Sequence, residues 1–250
     1  MMLSPHTLAD RVAIVTGADR GIGSAIVSRL LADGYRVVAA DLGPTGCEAY
    51  ADDDRVAIVL ADVSVRTDAE RIVATALERF GRLDALVNNA GILDRFLPVG
   101  EITDDVWAKV MAVNLTGPMY LARAAMPHLI ATRGVVVNVS SVGGLFGARA
   151  GAAYVASKHG LIGLTKNIAA TYAADGVRAV AIAPGGVSTG IGVGGEPSAR
   201  GYAALNKTLA ASVRMAEPCE IAALVAFAIS GDASFVSGAV LVADGGWTAF

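Results

Sequence analysis

The sequence predicts an α/β fold in a single domain, a doubly wound parallel sheet with helices on both faces. Three observations predict it. Seven short runs rich in β-branched residues recur along the chain, each run is apolar without an alternating polar face, and Ala/Leu-rich segments of helical period separate them. Strands that are apolar on both faces need cover on both faces, and helices between successive strands supply it through parallel crossovers. The first run, "RVAIVTG", leads through a glycine-rich turn into the amphipathic segment "GSAIVSRLLADG". "YRVVAAD" follows and ends on Asp41, then "RVAIVLAD", "ALVNNAG", "GVVVNVSS", "VRAVAIAPG" and "AVLVADGG". One long irregular stretch interrupts this rhythm, "GGVSTGIGVGGEPSARG" from Gly185 to Gly201. A glycine-rich loop of that length inside a compact domain is usually functional, and it reads as a mobile lid.

Composition narrows the function classes. A hydrophobic content of 54% and a mean hydropathy of +0.54 exclude disorder, and 250 residues suffice for one sizeable core. Net charge is −3 with no run of Lys or Arg, which argues against nucleic acid and against a polybasic membrane patch, and leaves a small molecule as the expected partner. The apolar run Ile221 to Ile229 is about half of a membrane span of ~18 residues. "MMLSPHTLAD" lacks the basic and apolar regions of a signal peptide, so a cytoplasmic location is expected. Cys47 and Cys219 form no CxxC pair, and His6, His128 and His159 are scattered, so neither a disulfide scaffold nor a metal site is expected.

Gly17, Gly21 and Gly23 stand where the first strand turns into the first helix. A helix N-terminus after such a turn offers free N–H groups and a positive dipole end to a pyrophosphate. The spacing is GxxxGxG, different from the GxGxxG dinucleotide fingerprint, and no Lys follows Gly23 as a P-loop requires. Asp41 adds a second clue. It closes the second strand eighteen residues after Gly23, close to the ~20 expected of an acid that binds the adenosine ribose hydroxyls. A carboxylate there favours NAD over NADP by repelling a 2′-phosphate, although Arg20 in the turn is a cation that could receive one.

Tyr154 and Lys158 are four residues apart in "AAYVASKHG" and share a helix face. A free phenol has a pKa of about 10 and is a poor base at neutral pH, and a nearby ammonium favours its ionised form. The same spacing also describes an ordinary surface pair. His159 points about 100° around the helix from Lys158 and reads as a packing or surface residue.

Taken together, "TGADRGIG", "ADV", "NNAG", "VNVSS", "YVASK" and "APGGVST" occur in the order and spacing of the short-chain dehydrogenase/reductase family, which this chain resembles along nearly its whole length. The resemblance implies a Rossmann-like, NAD(P)-binding domain over residues 1–250 with a substrate loop around 185–211. It implies that Tyr154 is the general acid/base, that Lys158 lowers its pKa and holds the nicotinamide ribose, and that Ser141 bonds the substrate oxygen. Ser141 rather than Ser140 has the family's separation from Tyr154, and neighbouring strand residues face opposite ways. Asn114 would complete a proton relay, while its residue type alone fits a helix cap or kink equally well.

On the cofactor side the resemblance assigns Gly17, Arg20, Ile22, Gly23 and Asp41 to the first turn and second strand. Asp62 and Val63 go to the adenine, and Asn89, Ala90 and Gly91 to the adenosine and ribose. Pro184, Gly185, Val187 and Thr189 go to the nicotinamide end. Two positions depart from the family pattern: Val180 where asparagine is common, and Asp19 where a small residue often precedes the arginine.

The implied activity is NAD-dependent interconversion of a secondary alcohol and its ketone. The alternatives are a 3-oxoacyl thioester reductase using NADPH, or a non-catalytic dinucleotide-binding sensor on the same fold. Substrate would be bounded by residues 92–96, Val142, Gly143 and residues 202–209, mostly apolar or small. Apolar residues around the Tyr154 helix (Val155, Ile162, Leu164, Ile168) and the helix from Leu115 to Ile130 predict a dimer, and the resemblance implies that the C-terminal end, with an exposed Trp247 and Phe250, completes a homotetramer.

Overall fold

A computed structural model describes residues 11–43, 46–192 and 195–249 of the chain. His6, Val193 and Gly194 of the expected lid, and Phe250 lie outside them. All seven expected strands form: β1 (Val12–Thr16), β2 (Arg36–Asp41), β3 (Val56–Leu60), β4 (Ala85–Asn88), β5 (Val135–Val139), β6 (Arg178–Pro184) and β7 (Val240–Ala243). They pair in parallel throughout, in the order β3-β2-β1-β4-β5-β6-β7. The order reverses between β1 and β4, and in such sheets ligands bind at that switch point, beyond the carboxyl ends of the strands.

The helices are α1 (Gly21–Ala32), α2 (Arg66–Phe80), α3 (Asp104–Met111), α4 (Gly117–Thr132), α5 (Ala152–Thr171), α6 (Ala199–Leu209) and α7 (Pro218–Ile229). Strand alternation sorts the core into two layers. Ala13 and Val15 of β1 pack with Ile26 and Leu30 of α1 and Ile221 and Val225 of α7. Val12 and Ile14 pack on the other face with Ile72 of α2, Leu121 and Leu129 of α4 and Ile168 of α5. Val180, at the position where asparagine is common in the family, is fully buried in the first layer.

Two expectations are corrected. The outermost strands are not buried on both faces: Leu60 ends β3 at 51% exposure and Val242 of β7 is 46% exposed, because each lies at or beside a free edge of the sheet. The apolar residues of α5 do not form an outer face. Ile162 and Ile168 are buried within their own chain and Val155 and Leu164 half-buried, while the exposed positions are His159, Gly163, Lys166, Asn167, Ala170 and Thr171. The stretch expected as a lid is tied down at both ends. Ser188 and Ala216 exchange backbone bonds with Ala216 and Gly186, and the Ser198 amide donates to the Arg95 carbonyl at 2.9 Å.

Candidate active site

The carboxyl end of β1 is built by close backbone approach. Gly17 and Gly21 have φ of +65° and +56°, the left-handed region that glycine enters without steric cost. Gly23 has an ordinary backbone, yet a Cβ on it would stand 1.8 Å from the Gly17 carbonyl oxygen, so no side chain fits. No side chain caps the start of α1, so its first N–H groups face the cleft for an anion to meet. The Asn89 side chain donates to the Thr16 and Gly17 carbonyls at 2.9 and 3.1 Å. In return the Thr16 hydroxyl accepts from the Asn89 and Ala90 amides, both at 3.1 Å. Thr16 therefore welds β1 to β4 at the switch point. The sequence reading passed it over, although a hydroxyl closing an otherwise apolar strand was the available signal.

The other cofactor-side residues surround this turn. Asp41 ends β2 with its carboxylate accepting from the Asp19 amide at 2.9 Å and the Leu42 amide at 2.7 Å, which brings it against the glycine turn. The Asp19 carboxylate turns away to accept from the Gly46 amide. Asp62 is half-buried beyond β3 and accepts from the Ser64 amide and hydroxyl, while Val63 is buried beside Gly117. Ile22 is half-buried on α1. Pro184 closes β6, and Gly185 approaches Asp244 so closely that a Cβ would meet its Cβ at 2.8 Å. Val187 bridges to Ala216, and Thr189 lies 3.1 Å from where a Cβ on Gly21 would stand. Arg20 is exposed with its stem beside Gly190, so it lies between the glycine turn and the 185–198 loop. A glycine cradle, an uncapped helix start and a seated carboxylate at the next strand end fit a dinucleotide.

The second cluster lies beyond β5 and on α5. Lys158 is 4% exposed, its ammonium donates to the Val139 carbonyl at 2.8 Å, and it stands 5.6 Å from the centre of the Tyr154 ring. The Ser141 hydroxyl is hydrogen-bonded to Tyr154 and also accepts from the Gly143 amide at 2.9 Å. Ser140 faces the other way, its hydroxyl donating to the Lys158 carbonyl at 3.1 Å. Asn114 is fully buried in a π-type turn, Ala112–Thr116, that precedes α4; such widened turns are frequent at functional sites. Its side chain grips Ile92 by both backbone groups at 2.9 Å and donates to the Ser157 hydroxyl at 3.2 Å. A Cβ on Gly91 would lie 3.4 Å from both the Asn114 carbonyl oxygen and the Lys158 ammonium. Tyr154, Lys158, Ser141 and Asn114 are thus gathered at one end of the sheet.

The electrostatics depart from expectation. Burial pushes the Tyr154 phenol above its ordinary value, opposed by the Ser141 hydrogen bond and reinforced by the Asp94 charge. The same burial brings the Lys158 ammonium down to about 8, where it donates to the Val139 carbonyl.

Three residues that hold α5 on the sheet, Asn88, Asn138 and Thr165, were missed in the sequence. The Asn88 side chain donates to Asn138 on the paired strand at 2.8 Å, and Asn138 donates to Thr165 of α5 at 2.8 Å, a buried polar chain that fixes α5 on the sheet. Val142, Leu205 and Trp247 cluster with Phe96 and Ala211, and Phe96 meets Tyr202 edge to face. Trp247 is only 6% exposed, which corrects the expected exposed C-terminal tryptophan. Its indole donates to the Thr208 carbonyl at 2.6 Å and the Arg149 guanidinium lies 4.4 Å above its ring.

Comparison with known proteins accords with this geometry. A family model described as "Enoyl-(Acyl carrier protein) reductase" matches residues 17–248. The chain is 43% identical to 3beta-hydroxysteroid dehydrogenase 2 of Eggerthella lenta, over 97% of its own length and 96% of that protein's. This chain belongs to the short-chain dehydrogenase/reductase family. It is 36% identical to meso-2,3-butanediol dehydrogenase of Serratia marcescens over 96% of this chain and 95% of that one. The crystal structure of levodione reductase superposes with a TM-score of 0.86 at 36% identity, covering 96% of this chain and 98% of that one. As a short-chain dehydrogenase/reductase it is an oxidoreductase acting on CH–OH groups, and the family implies a nicotinamide dinucleotide cofactor.

Proposed function

We propose that the protein interconverts an apolar, often cyclic, secondary alcohol and its ketone with NAD, using Tyr154 as general acid/base. The observation that carries this reading is the gathering of Tyr154, Ser141 and Lys158 round one pocket, with a seated Asp41 carboxylate at the far side of the switch point. When bound, NAD would take the hydride from the alcohol carbon and NADH would supply it to the ketone. Gly17, Ile22 and Gly23 would hold the pyrophosphate, with Arg20 at the edge of the turn. Asp41 would hold the adenosine ribose, and Asp62 and Val63 the adenine. Asn89, Ala90 and Gly91 would line the ribose side, and Lys158, Pro184, Gly185, Val187 and Thr189 the nicotinamide end.

Ser141 positions the substrate oxygen, and Tyr154 gives its proton to the developing alkoxide in reduction and takes it back in oxidation. A phenol above its ordinary pKa stays protonated but is a weak acid, so it needs help in both directions. For the accepting role the cationic nicotinamide and the Lys158 ammonium must together favour the phenolate. Asn114 holds the turn beside Lys158 through which a proton can reach solvent. Apolar walls from Phe96, Val142, Leu205 and Trp247 support an apolar substrate, as do relatives named for a hydroxysteroid and for butanediol.

A cytoplasmic homotetramer completes the proposal. Among the described residues no helix is long and apolar enough to cross a membrane. Fully exposed Phe235, with Phe227 and Val242 at 40% and 46%, gives apolar surface near the β7 edge for a second copy to cover. Incubation of the protein with NAD and a panel of secondary alcohols, and with NADH and the matching ketones, tests the activity through NADH absorbance. Turnover of cyclic members is expected, whereas cofactor binding without turnover across the panel would overturn the reading.

A further inference from the structure

Asp94 lies in the connection between β4 and α3, is 1% exposed, and forms no ion pair among the described residues. Its two carboxylate oxygens accept from the Gly151 amide at 3.0 Å and the Tyr154 amide at 2.9 Å, at the start of α5. These are N–H groups that a helix start leaves without partners, and Gly151, at the N-cap position, has no side chain to satisfy them. A carboxylate from a distant segment does so instead, where the helix dipole favours a negative charge.

The fit admits no slack. A Cβ on Gly151 would stand 2.5 Å from both Asp94 oxygens and from the Leu97 nitrogen, although the Gly151 backbone itself, at φ −82°, is open to any residue. Gly151 is therefore glycine because Asp94 occupies the space.

The segment that carries Asp94 is strained. Arg95 and Phe96 follow with φ of +57° and +56°, the left-handed region that residues other than glycine rarely enter, and such strain persists only where the surroundings enforce it. Four contacts enforce it here. The Leu97 amide donates to the Asp94 carbonyl, the Leu97 carbonyl accepts from Ala152 of α5, the Arg95 carbonyl accepts from Ser198, and the Phe96 carbonyl lies against Gly201 of α6. The segment is bolted to the tyrosine helix on one side and to the substrate loop on the other.

We propose that Asp94 is the positioning residue of Tyr154, seating the tyrosine through its own amide and that of Gly151 at the start of α5. Seated there, its carboxylate also favours the protonated phenol. This rests on Tyr154 being the acid/base. The charged or titratable groups round Tyr154 are Lys158 on α5, Asp94 in the β4–α3 connection, and the Ser141 hydroxyl after β5. His159 on the same helix is exposed and bonded to the Val155 carbonyl. Arg149 stacks on Trp247 and Phe146, and the Arg95 stem lies against Gly195.

The test is a spectrophotometric titration of tyrosinate, taken as the difference between each protein and the same protein carrying Tyr154→Phe, beside the pH profile of alcohol oxidation. Asp94→Asn should lower the Tyr154 midpoint by about half a unit to one unit, since a negative charge is removed. The acidic limb of kcat/KM should move down with it, while NADH affinity stays as in the wild type. Gly151→Ala keeps the charge but displaces the carboxylate, and should lower kcat about tenfold or more with NADH affinity unchanged, whether or not Asp94→Asn folds. A wild-type midpoint and limb in Asp94→Asn, or a wild-type kcat in Gly151→Ala, would overturn the proposal. Turnover surviving Tyr154→Phe would instead overturn the acid/base reading on which it rests.

Discussion

The cofactor side and the substrate side of this cleft are built by different physical means. At the carboxyl ends of β1 and β2 the chain approaches itself more closely than a side chain permits, as at Gly23 against the Gly17 carbonyl. Across the cleft the wall is made of side chains. Phe96, Val142, Leu205 and Trp247 arrive from four separate segments and pack into one small apolar cluster, the wall the proposal gives to the substrate. Backbone proximity dictates residue type at fixed positions, whereas an apolar wall tolerates many residues in many places. The first kind of site resists change and the second invites it.

Substitutions on the two sides should therefore fail differently. The largest effect on cofactor binding is expected at Gly23→Ala, where the overlap with Gly17 must be relieved by moving the turn. Overpacking of 1–3 kcal/mol corresponds to a roughly tenfold to hundredfold loss of NADH affinity, read by fluorescence titration. Wild-type affinity in that variant would break the contrast at its strongest point. Asp41→Ala should narrow the ratio of kcat/KM for NAD over NADP about tenfold, near 1.4 kcal/mol, because the charge opposing a 2′-phosphate is gone while Arg20 remains. A wild-type enzyme that prefers NADPH would contradict the role given to Asp41.

On the substrate side Trp247→Leu keeps an apolar volume but loses the ring under Arg149 and the bond to Thr208. KM for an apolar alcohol should rise a few-fold, with kcat less affected and NADH affinity untouched. Equal damage to NADH binding would show that the two sides are not separable.

A further effect concerns stability rather than turnover. Lys158 titrates near 8 in the folded protein against an ordinary 10.5, so between those values the unfolded chain binds more protons and stability rises with pH. Below pH 8 both states are protonated and the burial penalty is present in full. Lys158→Met should flatten this rise, as seen by chemical denaturation at pH 8 and 10; an unchanged slope would assign the rise to other groups.

The same contrast explains what could be read in the sequence. All seven strands were legible because each is apolar on both faces, and the glycine turn was legible because only glycine tolerates its φ or its contacts. The spacing of Tyr154 and Lys158 put both on one helix face, but their role came from the family resemblance, since the spacing alone also fits a surface pair. Asp94 was not legible, since its partners Gly151 and Tyr154 lie about sixty positions away and nothing local marks an acid as a cap for another segment. Trp247 was misread for a related reason: an aromatic near a chain end looks exposed until Val142, Leu205 and Arg149 fold against it. The direction of the Tyr154 shift was missed because burial, which no spacing reveals, acts on the phenol and the ammonium together.

The central claim is that the Tyr154 hydroxyl transfers the proton while the cofactor side stands independently of it. Single-turnover and steady-state rates of Tyr154→Phe, measured by NADH absorbance on an alcohol the wild type oxidises and paired with NADH affinity by fluorescence, test this most directly. The account predicts a loss of about 10²-fold or more in kcat, within the range of acid–base catalysis, at unchanged NADH affinity. A variant that keeps more than about a tenth of the wild-type kcat, well short of the loss that removing an acid–base group brings, would contradict it.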